Sequence, residues 1–86
     1  MEYRSLCVDV GLGVERVAVA IGVLGREKFE VEEERLVEYL CRQYERLYEA
    51  DVLRKARASI EYSIKMKVVI REYRDGKNFI KLVVVE

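Results

Sequence analysis

From Ile60 onward apolar and polar residues alternate: Ile60, Tyr62, Ile64, Met66, Val68 and Ile70 share one parity, and Ser59, Glu61, Ser63, Lys65, Lys67 and Arg71 share the other. A period of two predicts a half-buried strand. A second apolar run, Phe79 to Val85, follows the turn cluster Arg74-Asp75-Gly76-Lys77-Asn78, so the two runs predict a hairpin. Directly paired residues share a face, which lets parity choose the turn. A two-residue Asp75-Gly76 loop sets Ile70 opposite Lys81 and Val68 opposite Val83, drawing a lysine into the apolar row. A three-residue loop pairs Ile70 with Ile80, Val68 with Leu82 and Met66 with Val84. The second register is expected, a type I turn with a G1 bulge and Gly76 in the left-handed region.

Residues 30 to about 58 lack Gly and Pro and are rich in Glu, Arg, Leu and Ala, which predicts a long helix. Leu36, Val37, Leu40, Tyr44, Leu47 and Tyr48 form its apolar stripe. After Asp51 the stripe drifts, so either the helix bends near Ala50 and Asp51 or its last turns meet a second partner. In the first 25 residues Leu6, Val8 and Val10 alternate with Cys7 and Asp9, Gly11-Leu12-Gly13 interrupts, and Val17, Val19, Ile21 and Val23 alternate with small residues. Val14, Val17, Ile21 and Leu24 would also stripe a helix, but β-branched enrichment and Gly22 favour strands.

Residues 6–10 and 82–85 are apolar on both parities and are expected at the sheet centre, whereas 59–67 carries charge at alternate positions, as an edge strand does. The expectation is one α+β domain over residues 1–86, ββαββ, with one long helix on one face of a four-stranded mixed sheet. Its strand order would be 2-1-4-3, with strands 1 and 4 parallel as in β-grasp folds.

Composition narrows the setting. At 86 residues there is room for one domain, and 51% hydrophobic residues suffice for its core. The charged share of 37% exceeds the average of about 25%. His, Trp, Pro and Thr are absent and Gln43 and Asn78 are the only side-chain amides, a composition expected of a hyperthermophilic prokaryote. The longest nearly uncharged stretch, 17–25, falls far short of the ~20 residues of a spanning helix, so no membrane partner is expected. The acidic start Met1-Glu2-Tyr3-Arg4 does not resemble a signal peptide, and a cytoplasmic location is expected. Cys7 and Cys41 lie outside zinc spacings and read as buried thiols or as a disulfide.

The balance of 16 basic and 16 acidic residues conceals a dipole. Residues 27–51 hold 4 basic and 9 acidic groups, and residues 52–86 hold 9 and 4. The helix macrodipole explains part of this, with Glu30, Glu32, Glu33 and Glu34 at the helix start and Arg54, Lys55 and Arg57 near its end. It leaves the hairpin, where Lys65, Lys67, Arg71, Tyr73, Lys77, Phe79 and Lys81 are expected on one face with valines between them. Such a face could track a phosphate backbone and stack bases, pack on a second copy, or simply be solvated.

Gly11-Leu12-Gly13 has Arg16 where a dinucleotide fingerprint needs its third glycine, and reads as a hairpin turn. Val8-Asp9-Val10-Gly11 followed by Val17-Ala18-Val19-Ala20-Ile21-Gly22 resembles the opening hairpin of the ribonuclease H-like and actin-like superfamily. The resemblance covers about 20 residues and implies a divalent-metal role for Asp9 alone; metal-assisted phosphoryl chemistry needs further carboxylates, for which Glu15, Glu61 and Asp75 qualify only by residue type. Without His there is no Ser-His or Cys-His dyad, and no cofactor is expected.

The leading expectation is therefore a non-enzymatic interaction module acting as a homodimer through its sheet. Cys7, Val69, Val83 and Val85 would form the dimer patch, and Lys67, Arg71 or Lys81 would meet Glu32, Glu33, Glu38 or Glu45 of the neighbouring chain. A DNA- or RNA-binding protein using the basic hairpin face is the alternative, and a metal-dependent nuclease the third reading.

Overall fold

The computed structural model describes the backbone of residues 2–83 and the side chains of residues 13–83. The chain is α+β, but in place of ββαββ it runs α1 (Glu2–Gly25), a 3-10 turn (Arg26–Lys28), β1 (Glu30–Glu32), α2 (Glu33–Arg46), α3 (Val52–Lys65), β2 (Val69–Arg74) and β3 (Lys77–Leu82). Among the described residues the sheet has three strands, all antiparallel, in the order β1-β3-β2.

The two strands expected before residue 25 are one helix. Its buried positions are Gly13, Val17, Ala20 and Ile21, with Leu24 packed beside them, a helical spacing; the alternating partners Val19 and Val23 are exposed. Tertiary burial of this stripe overrides the β-propensity of its valines. The helix stops at Gly25, where an added Cβ would lie 2.6 Å from the Glu30 carbonyl oxygen as the chain doubles back into β1.

The single long helix is a helical hairpin broken at residues 47–51. Tyr48 takes a left-handed φ of 58°, and the Tyr48 and Glu49 amides donate to the Glu45 and Tyr44 carbonyls at 2.9 and 3.0 Å. This double bond pattern is a Schellman cap, satisfying carbonyls that the helix end leaves open. Asp51, again left-handed, starts α3.

Helix α3 runs to Lys65, through most of the stretch expected as a strand. Ala56, Ser59, Ile60 and Ser63 are its buried positions, at i, i+3, i+4 and i+7. The two serines are small enough to bring helices together and are satisfied internally. Ser63 Oγ donates to the Ser59 carbonyl at 2.7 Å, and Ser59 Oγ shares a 2.8 Å hydrogen bond with Tyr44 Oη. Opposite them Gly13 lets α1 approach so closely that an added Cβ would lie 2.6 Å from Ser59 Oγ.

Leu36, Val37, Leu40 and Tyr44 of α2 join these residues over Val31, Val69 and Ile80 of the sheet, closing one core. The helices thus lie on one face of the sheet, and among the described residues the other face is uncovered.

Candidate interaction surface

The hairpin places the functional side chains, and its turn decides which face each takes. Asp75 and Gly76 both have positive φ, 52° and 76°. They form a two-residue turn of the type whose twist suits a hairpin. Ile70 is therefore opposite Lys81, Arg71 opposite Ile80 and Val69 opposite Leu82. The three-residue loop expected from the sequence is corrected by one residue. The reason is that the row of Ile70 and Lys81 is not the core row: Ile70 is 43% exposed, while Val69 and Ile80 are fully buried.

This shift divides the seven residues expected on one basic face. Lys65 ends α3, and Lys67 sits at its cap with a left-handed φ of 63°. Arg71 and Tyr73 share the parity of buried Val69 and lie on the helix side of the sheet. Lys77, Phe79 and Lys81 lie on the open face together with Glu30, Glu32, Ile70, Glu72 and Arg74. Of the expected dimer patch, Val69 is in the core and Val83, 39% exposed, follows β3 on the open-face parity. Val85 and the Cys7 side chain lie outside the described residues.

On the helix side Arg71 donates to both carboxylate oxygens of Glu33, Nε to Oε1 at 2.7 Å and Nη2 to Oε2 at 2.9 Å, and also to Glu61 Oε1 at 2.5 Å. These bonds, Glu33's first and then Glu61's, outweigh burial and hold the Arg71 guanidinium above its ordinary value. The expected partner of Arg71 was an acid of a neighbouring chain; the carboxylate it meets here is Glu33 of its own chain.

On the open face Arg74 lies 4.4 Å above the Phe79 ring centre and pairs with Glu30, and Lys77 stands 3.8 Å from Glu32. The face carries Arg74, Lys77 and Lys81 against Glu30, Glu32 and Glu72, with Ile70 and Phe79 among them. It is a neutral mosaic, and the acids that balance it come from β1 and β2.

The backbone adds an unexpected feature. A two-residue turn makes Arg74 and Lys77 a hydrogen-bonded pair, and the Val83 amide donates to the Val68 carbonyl at 2.9 Å. Residues 68, 70, 72 and 74 therefore turn their amides and carbonyls toward β3, and Val69, Arg71 and Tyr73 turn theirs outward. Strand β2 is a sheet edge with no strand beside it among the described residues. The edge strand expected in this region lay on residues 59–67, but 59–65 are the end of α3 and 66–67 its cap.

Other candidate chemistry is sparse. Asp9 and the Gly11-Leu12-Gly13 segment belong to α1, so the opening hairpin implied by the ribonuclease H-like resemblance is not formed. Among the described residues no three His, Cys, Asp or Glu side chains are grouped to hold a metal ion. An open cavity of about 290 Å³ between α1 and α2 is lined by Glu15, Arg16, Val19, Tyr39 and Gln43. It is at the small end for ligand sites, and its Arg16 is drawn to the Tyr44 ring, 5.7 Å from the centroid. Cys41 is half-buried on α2, and burial first, then the nearby Glu45, raises its thiol pKa. No described helix is long and apolar enough to cross a membrane. Comparison with protein-family models, curated proteins and solved structures gives no match.

Proposed function

We propose that the protein is a non-enzymatic interaction module that works as a homodimer through its sheet, in a hyperthermophilic prokaryote. The observation that carries the reading is that, among the described residues, the sheet is covered on one face only and ends in β2 with no strand beside it. Unpaired edges are templates for pairing with another chain, and proteins that leave them open generally use them or block them. The source assignment rests on the scarcity of amides and the 37% charged share.

The nucleic-acid reading loses its main support when the seven residues separate. A phosphate backbone is held by uncompensated cations, and the cations of the open face stand among three glutamates. Sedimentation velocity over a concentration series at physiological salt is expected to give a reversible monomer–dimer equilibrium. A gel-shift assay with DNA and RNA at two salt concentrations is expected to give no complex. A monomer throughout would overturn the proposal, and a salt-dependent shift with a monomeric protein would replace it with the nucleic-acid reading.

A further inference from the structure

We infer that two copies join edge to edge through β2, antiparallel and with Tyr73 at the twofold axis, making one continuous sheet of the order β1-β3-β2-β2-β3-β1. This inference rests on the dimer reading and specifies its surface. The two edges of the sheet are unequal: β1 offers three residues, two of them Glu, whereas β2 offers six. Glutamates on the short edge would repel one another in a symmetric pairing.

Backbone groups alone do not choose a register, because any antiparallel pairing that aligns the outward parity makes bonds; side chains choose. A twofold centred on Arg71 sets Arg71 against the partner's Arg71. One centred on Glu72 sets two carboxylates against each other. Centring on Tyr73 reverses every such conflict, because Arg71-Glu72-Tyr73-Arg74-Asp75 reads plus, minus, neutral, plus, minus. Read antiparallel against itself, Glu72 faces the partner's Arg74, Arg71 faces the partner's Asp75, and both pairs recur by symmetry.

The structure supplies the unmet groups that this pairing uses. Glu72 and Asp75 have no ion pair among the described residues, while the other acids of the sheet, Glu30 and Glu32, have one each. The Tyr73 amide and carbonyl point outward, and its side chain is 73% exposed. Arg74 is bound to Glu30, yet a guanidinium carries five donors and can take a second carboxylate. The overlap is short, which makes the dimer a weak and reversible one.

The test is a charge exchange in the full chain, followed by sedimentation. Glu72→Arg and Arg74→Glu, each alone, place like charges across the axis twice and are expected to weaken dimerisation by about tenfold or more. Mixing the two single variants restores opposite charges at every contact and is expected to give a heterodimer at parental affinity, as is the doubly exchanged E72R/R74E chain with itself. Tyr73→Lys, at a position that holds no core contact, is expected to abolish the dimer while leaving the circular dichroism spectrum unchanged, which covers the case of an unfolded Arg74→Glu chain. A parental dimer indifferent to Glu72→Arg and Tyr73→Lys would overturn this register and leave the dimer reading standing; a monomeric parent would overturn both.

Discussion

Arg71 of β2 grips Glu33 at the first turn of α2 with two parallel hydrogen bonds, at 2.7 and 2.9 Å, tying the hairpin to the helical layer. Glu33 is buried and Arg71 only a third exposed, so the pair is better shielded than the surface bridges around it. Arg71→Ala leaves a buried carboxylate without its partner and is expected to cost about 2 kcal/mol, below the figure for fully buried pairs. Glu61→Gln removes only the exposed arm of the same network and is expected to cost under ~1 kcal/mol. Urea midpoints of the two variants check the order; equal losses would show that Glu33 is not the partner that matters.

Tyr48 occupies the cap position where glycine is usual, left-handed and 97% exposed. It has no packing to lose. Left-handed backbone costs a non-glycine residue roughly 1–2 kcal/mol, and glycine gives back part of this by loosening the unfolded chain. Tyr48→Gly is expected to stabilise by about 0.5 kcal/mol, read as a rise in the urea midpoint with unchanged slope. Lys67→Gly, at the equivalent cap of α3 with φ of 63°, should act in the same direction.

The Cys41 thiol keeps its proton beyond the ordinary value of 9.0, chiefly because of burial and secondarily because of Glu45. For an acid whose folded pKa is raised, the unfolded chain loses the proton first. Stability is therefore untouched well below pH 9.0 and falls as the pH rises through that value. Urea midpoints of the parent and Cys41→Ala across alkaline pH are expected to diverge in slope, the parent falling faster. Glu45→Gln is expected to bring the midpoint of thiol alkylation downward.

The α+β class, a helix through residues 33–46 and a hairpin turning at Asp75-Gly76 were legible in the sequence, and a bend near Asp51 was one of the two alternatives left open by the drifting stripe. What was not legible has one physical source. Ser59 and Ser63 look like the solvent side of an alternating strand, yet they are buried because their hydroxyls find partners inside the helical layer. Val17 and Ile21 alternate as in a strand, but the small residues Gly13 and Ala20 between their turns complete a helical contact face. Small residues carry little hydrophobic signal and much packing information. The one-residue register error followed, since assigning Ile70 to the core row excluded a pairing with Lys81 that an open face accepts. That error also assembled a basic face from residues of both sides of the sheet.

Gly13 and Ser59 give the sharpest check of this packing. A Cβ on Gly13 would stand 2.6 Å from Ser59 Oγ and 3.2 Å from Ser59 Cβ, so Gly13→Ala must displace the serine and strain its bond to Tyr44. Within a helix the same change is intrinsically favourable by up to ~1 kcal/mol, while overpacking costs about 1–3 kcal/mol. A net loss of about 1 kcal/mol is expected, with the contact rather than the propensity deciding the sign. Ser59→Gly in the same chain removes both clashing atoms, so the double variant should lose less than the sum of the two single losses. Thermal or urea unfolding of the four proteins measures that coupling. Strict additivity, or a stabilising Gly13→Ala, would mean that α1 and α3 do not meet at this point.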